Sequence, residues 1–132
     1  MPDYLLDSCV LIRHLRGHQP TTDLLSELAL EGQLGIASIS RVEIVQGMRE
    51  HERENTVRLL DSLFCYPLDA DVADLAGEWI RRYRAQGVIL DKPDAIIGAT
   101  ALHYDLTLVT YNVKHFPMAG LRLYKGMPGM AS

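Results

Sequence analysis

Short apolar runs alternate along this chain with longer segments of helical periodicity, and this alternation restricts the fold more than any other feature. Tyr4-Leu5-Leu6, Leu34-Gly35-Ile36-Ala37, Cys65 to Leu68, Leu106-Thr107-Leu108-Val109-Thr110 and the alternating Leu121-Arg122-Leu123-Tyr124 read as strands. Strands separated by helices need crossover connections. The expected fold is therefore α/β, with a central, mostly parallel sheet of about four to five strands and helices on both faces. At 132 residues the chain fits a single domain spanning 1–132, with 126–132 as a loose tail.

The helical segments have recognisable ends. Ser8 opens one whose apolar positions are Val10, Leu11 and Leu15, and Gly17 stops it. Pro20-Thr21-Thr22-Asp23 opens a second, lined by Leu24, Leu25, Leu28 and Leu30 and ended by Gly32. Ser40 is the expected cap of a third, containing Val42, Ile44, Val45 and Met48. A charged helix from about Glu52 to Phe64 is expected to turn Val57, Leu60, Leu63 and Phe64 inward. Asp69 or Asp71 starts a long helix with Val72, Leu75, Ala76, Trp79, Ile80 and Tyr83 on one face, closing at Gly87. Pro93, a favourable first-turn proline, begins a last helix that runs to about Tyr104.

Charge and motifs exclude several classes of protein. The net charge of -4, from 13 Lys+Arg against 17 Asp+Glu, does not suit a protein that coats nucleic acid by bulk charge. It leaves room for a nuclease, because bound cations reverse the field of a local acid cluster. No apolar run approaches the roughly 18 residues of a membrane span, and no basic leader precedes the first strand. Cys9 and Cys65 sit among apolar neighbours, outside any zinc-binding spacing, and read as buried thiols of a cytoplasmic protein. The glycine-rich phosphate loops of nucleotide-binding folds are absent, so no small-molecule cofactor is expected.

In a parallel sheet, sites form outside the carboxyl ends of the strands. Asp7 stands there, directly after Tyr4-Leu5-Leu6, although it also suits the cap of the helix at Ser8. Glu43 interrupts an apolar helix face, flanked at helical spacing by the small residues Ser40 and Gly47; a capping box with Ser40 is the plainer reading. Asp94 has Gly98 one turn on, yet also fits a first-turn acid that complements the helix dipole, with Asp91 as the cap. Thr110 and Asn112 end the clearest strand and offer hydrogen bonds to a carboxylate or a phosphate, or else plain turn chemistry. Each structural reading is sufficient alone. Three carboxylates converging on one sheet edge would repel, however, unless divalent cations hold them, and oxygen-only ligands suit Mg²⁺ or Mn²⁺.

Four segments in order resemble the PIN-domain nucleases, and among them the VapC-like toxins of prokaryotic toxin–antitoxin pairs. They are Leu5-Leu6-Asp7-Ser8, Ile39 to Gly47, Pro93 to Ala101 and Leu108 to Phe116, within a resemblance covering about residues 4 to 124. The resemblance implies a PIN-like three-layer sandwich, with Asp7, Glu43 and Asp94 as the metal-binding acids and Asn112 as a further catalytic residue. It also implies Mg²⁺ or Mn²⁺, hydrolysis of RNA phosphodiesters, a homodimer, and inhibition by a small cognate antitoxin. The expected products carry 5′-phosphate and 3′-hydroxyl ends. Ser8 and Thr110 are expected to support the site, and Arg13, Arg41 and Lys114 to contact phosphates.

One position departs from the family pattern. His115 stands where the family usually places a fourth acid before Phe. Imidazole supplies no carboxylate but can ligate a metal or carry a proton. One firmly held ion is therefore expected, with a second bound weakly or only with substrate, and Asp91 is a partial substitute for the missing charge. Two other functions fit the same residues: an RNA-processing PIN nuclease without an antitoxin, and a catalytically silent PIN-like binding module.

Overall fold

A computed structural model describes residues 3–130. Its centre is a five-stranded, wholly parallel sheet in the order β3-β2-β1-β4-β5, formed by β1 (Tyr4–Leu6), β2 (Leu34–Ala37), β3 (Phe64–Tyr66), β4 (Thr107–Val109) and β5 (Arg122–Leu123). Six helices connect or flank them: α1 (Ser8–Leu15), α2 (Gln19–Glu31), α3 (Ser38–Gly47), α4 (Arg53–Asp61), α5 (Ala70–Ala85) and α6 (Lys92–His103). The chain lays down β1, β2 and β3 towards one edge, then returns to add β4 and β5 on the other side of β1. The direction of winding thus reverses between β1 and β4.

Side-chain alternation sends each strand's residues to opposite faces of the sheet. Tyr4, Leu6, Ile36 and Val109 join Val10, Leu11, Leu24, Leu25 and Leu28 under α1 and α2. Leu5, Ala37 and Leu108 face the other way, against Val72, Ala76 and Trp79 of α5 and Ala95, Ile97 and Ala99 of α6. These are the three layers anticipated from the sequence, and no helix among the described residues is long and apolar enough to cross a membrane.

Several local expectations need correction. The third helix starts at Ser38 rather than Ser40, so Ser40 is an interior residue. Its side chain is fully buried, its hydroxyl lacks a hydrogen-bond partner among the described residues, and it forms no capping box with Glu43. Leu30 lies at 87% exposure, Val42 and Val45 are exposed on α3, and Val57 and Phe64 are also exposed, leaving Leu60 as the anchor of α4. That helix is preceded by a 3-10 turn, Glu50–Glu52, and ends at Asp61 because the chain must enter edge strand β3. Cys65 is exposed on that edge strand and Cys9 is half-buried, so neither thiol is a core residue. The segment expected to be loose is tied down by Met127, which is 5% exposed and packs in the α1/α2 core; residues 131 and 132 of that segment lie outside the described residues.

Candidate functional site

The reversal between β1 and β4 leaves a crevice at their carboxyl ends, where ligands bind in open parallel sheets. Asp7 and Thr110 flank it, each the first residue after its strand. The Asp7 N–H donates to Val109 O at 3.0 Å, extending the ladder by one bond. Asp7 does cap α1, with Oδ1 accepting the Ser8 N–H at 2.8 Å. Its other oxygen, Oδ2, accepts from the Thr110 hydroxyl at 2.7 Å and from Cys9 Sγ at 3.4 Å. The Thr110 oxygen in turn accepts the Asn112 N–H at 3.0 Å. One oxygen of Asp7 thus caps α1 while the other is tied to Thr110 and Cys9, and the carboxylate is only 3% exposed.

Glu43 reaches the same crevice from α3, where Oε1 accepts from the Ser8 hydroxyl at 3.2 Å. Burial raises its pKa; the Ser8 hydrogen bond opposes this, and the negative charges of Asp7, Asp94 and Asp91 add to it. Asp94 arrives in the first turn of α6. Burial, reinforced by Asp91 and then Asp7, pushes its carboxyl up to about 6, against the pull of His115. Acids from three parts of the chain therefore meet here, and in Glu43 and Asp94 the charged form is destabilised. Oxygen donors that repel in this way suit a hard divalent cation, which would neutralise them at once.

His115 lies across from Asp94, with Nδ1 3.2 Å from Oδ2. Asp91 occupies the cap position of α6, but its side chain makes no capping hydrogen bond and is left free beside Asp94. Asp91, Asp94, Lys114 and His115 line one open cleft of about 280 Å³. Glu43, Gly47 and Arg16 line a second, of about 100 Å³, between α1 and α3. A Cβ built at Gly47 would meet nothing within 4 Å, whereas Ser40, the other small residue beside Glu43, is fully buried. Gly98 differs: a methyl there would meet Met118 Cε at 2.6 Å and Trp79 at 3.4 Å. Its smallness serves core packing rather than the acid site.

The expected phosphate contacts divide. Lys114 lines the Asp94 cleft, and the Arg13 guanidinium lies 3.8 Å above the Tyr111 ring, one residue after Thr110. Arg41 is turned away from the acids, with its guanidinium bonded to Leu60 O at 3.2 Å and to Asp61 at 3.5 Å. Asn112 is exposed, with its backbone bonded to Thr110. Two residues outside the expected set belong to the site's walls: Cys9, bonded to Asp7, and Arg16, beside Glu43. Their signal was spacing alone, since Cys9 lies two residues after Asp7 and Arg16 one helical turn after Arg13.

A tighter group of potential ligands lies elsewhere. One ligand atom each from Asp69, Asp71 and His103 falls within 4.8 Å of the others, all three residues being exposed. His103 ends α6 and Asp94 begins it, so the two sites are separated by about 14 Å of helix rise.

The PIN domain family model matches residues 4–120. Ribonuclease VapC10 of Mycobacterium tuberculosis is 43% identical over 114 residues, covering 86% of either chain. Ribonuclease VapC19 of the same organism is 34% identical over 115 residues, covering 86% of this chain and 92% of its own. Among solved structures, a toxin–antitoxin complex from Klebsiella pneumoniae has a chain with a TM-score of 0.73 at 28% identity, covering 98% of this chain and 96% of its own. DNA-bound VapBC from Salmonella typhimurium shares the fold with a TM-score of 0.82 at 19% identity, covering 94% and 98%.

Proposed function

The chain belongs to the PIN-domain family, and from that premise we infer that it is an endoribonuclease toxin restrained by a cognate antitoxin, with Asp7, Glu43 and Asp94 holding a divalent ion, Mg²⁺ or Mn²⁺. The observation that carries this reading is the convergence of the three acids at the β1/β4 switch point, where burial and neighbouring aspartates raise the pKa of Glu43 and Asp94. When bound, such an ion neutralises charge on a phosphodiester and lowers the pKa of attacking water.

The remaining roles belong to the chain itself. Thr110 and the Ser8 N–H fix both oxygens of Asp7, and the Ser8 hydroxyl orients Glu43. Lys114, in the Asp94 cleft, and Arg13, stacked over Tyr111, contact phosphates near the cut. Asn112, exposed after β4, offers its side-chain amide to the substrate. Arg41 is the weakest of the expected RNA contacts, because its guanidinium is already engaged. With no role for the 2′-hydroxyl, the products end in 5′-phosphate and 3′-hydroxyl.

The protein acts in the cytoplasm as a single-domain homodimer, and the exposed Val42 and Val45 supply apolar surface for a protein contact. The antitoxin reading draws on the complexes in which relatives are found.

The test pairs wild type with Asp7→Asn, each induced in growing cells, with purified protein assayed on total RNA in Mg²⁺, Mn²⁺ or EDTA. Growth arrest with discrete, metal-dependent cleavage, lost in the variant, is expected. Equal behaviour of the two, without cleavage in any metal, would instead identify a silent binding module. Cleavage without growth arrest would favour an RNA-processing nuclease.

A further inference from the structure

His115, where an acid was expected, puts an imidazole at the edge of the carboxylate cluster, and its backbone is pinned. It closes a 3-10 turn, Val113–His115, where its N–H donates to Asn112 O at 2.9 Å. The next residue, Phe116, is 3% exposed and anchors the turn in the α5/α6 core. The imidazole is thus held at the mouth of the cleft that it shares with Asp91, Asp94 and Lys114. Its side chain retains 57% exposure, whereas that of Asp94 has 19%.

The separation of the two side chains is informative. Two neighbouring ligands of an octahedral ion, each about 2.1 Å from it, lie about 3.0 Å apart. Nδ1 of His115 and Oδ2 of Asp94 are hydrogen-bonded at 3.2 Å, and that separation is also close to the edge length of two ligands on one ion. An ion held by Asp94 would displace the proton between the two atoms to solvent and take up the freed Nδ1 lone pair.

We propose that His115 is a direct nitrogen ligand of the divalent ion, and that this ligand tilts the site towards Mn²⁺ and away from Mg²⁺. The proposal rests on the reading of Asp94 as a metal ligand. Mg²⁺ strongly prefers oxygen and gives up its water shell reluctantly, whereas a first-row transition ion accepts imidazole nitrogen. An aspartate in the same place would keep the site all-oxygen and more tolerant of Mg²⁺.

The experiment is pulsed EPR of the full chain loaded with less than one equivalent of Mn²⁺, comparing wild type with His115→Gln, His103→Gln and Asp94→Asn. His103 needs its own control because it stands with Asp69 and Asp71 in the other candidate cluster. Nitrogen modulation of the Mn²⁺ signal is expected in wild type and in H103Q. H115Q is expected to bind Mn²⁺ without that modulation, and its preference for Mn²⁺ over Mg²⁺ in direct competition should fall by roughly tenfold or more. Mn²⁺ bound by wild type without nitrogen modulation, or modulation that persists in H115Q, would overturn the assignment while leaving the carboxylate site standing. Undiminished Mn²⁺ affinity in D94N, or no Mn²⁺ binding by wild type, would overturn both the assignment and the site beneath it.

Discussion

The two ends of α6 carry two groups of acids with a histidine, and they are electrostatic opposites. At the carboxyl-terminal end, Asp69, Asp71 and His103 are close enough to look like a metal site. Asp69 is nevertheless fully engaged there: it caps α5 through the Val72 N–H at 2.9 Å, accepts from the Tyr104 hydroxyl at 3.2 Å and lies 3.8 Å from His103. Its pKa is lowered, chiefly by the Val72 N–H. At the amino-terminal end, Asp94 and Glu43 are spread wider, partly desolvated and raised in pKa. Close spacing at the carboxyl-terminal end goes with a satisfied cap, whereas at the amino-terminal end burial and neighbouring acids destabilise the charged carboxylates. The proposed function rests on the strained group, while Asp69 in the relaxed one serves as a helix cap.

The largest expected effect breaks the two ends apart by activity. Asp94→Asn or Asp7→Asn should lower metal-dependent RNA cleavage by more than about 100-fold, because each removes a proposed ligand outright. Asp69→Asn and Asp71→Asn should cleave as wild type does in the same gel-based assay. Equal losses at both ends would mean that the exposed group also binds a required ion.

A smaller effect tests how the strained end is held. Thr110→Ala removes the hydroxyl that fixes Asp7 Oδ2 and leaves both β4 and the cap at Ser8 intact. Such supporting contacts typically change metal affinity or activity by roughly 10- to 100-fold. Mn²⁺ titration by calorimetry should show weaker binding in T110A, with thermal stability falling far less than activity. Thr110→Ser, which restores the hydroxyl, should recover most of the affinity.

The strained end was also the more legible in sequence. Asp7 stands at a strand end, Asp94 in the first turn of a helix and Glu43 within a helix between the small residues Ser40 and Gly47, and the parallel sheet follows from the alternation of strands with helices. Helix faces were read less well. Val42, Val45 and Leu30 keep apolar spacing yet lie exposed, since a helix at the rim of a three-layer fold buries only a narrow stripe. Gly98 shows the converse: its place one turn after Asp94 matches a cleared strip, but the packing of Met118 and Trp79 decides its size. Whether Asp91 spends its carboxylate on a cap, and whether Arg41 faces RNA or Asp61, depends on side-chain directions that spacing does not encode.

The smallest effects are in stability, and they differ in sign. Asp94 has its folded pKa raised from 3.8 to about 6, so below pH 4 it is protonated whether the chain is folded or unfolded and costs nothing. Between about pH 4 and 6 the folded state binds more protons than the unfolded state, and stability falls as pH rises. Above that window the full penalty remains. Asp69 has a lowered folded pKa, so its contribution is present at neutral pH and is lost as pH falls below about 4. In metal-free buffer at pH 7, Asp94→Asn should therefore raise the melting temperature by a few degrees, roughly 2–5 °C, and Asp69→Ala, which removes the cap oxygen, should lower it by a similar amount. At pH 4 the Asp94→Asn gain should vanish, because the wild-type carboxyl is then neutral as well. Saturating Mn²⁺ at pH 7 should raise the wild-type melting temperature and leave D94N nearly unmoved, since ligand binding stabilises only the form that binds. Calorimetric melts at the two pH values, with and without Mn²⁺, check all of these signs. A D94N variant less stable than wild type at pH 7 without metal would show that Asp94 is relaxed in the free protein, and the distinction between the two ends of α6 would then collapse.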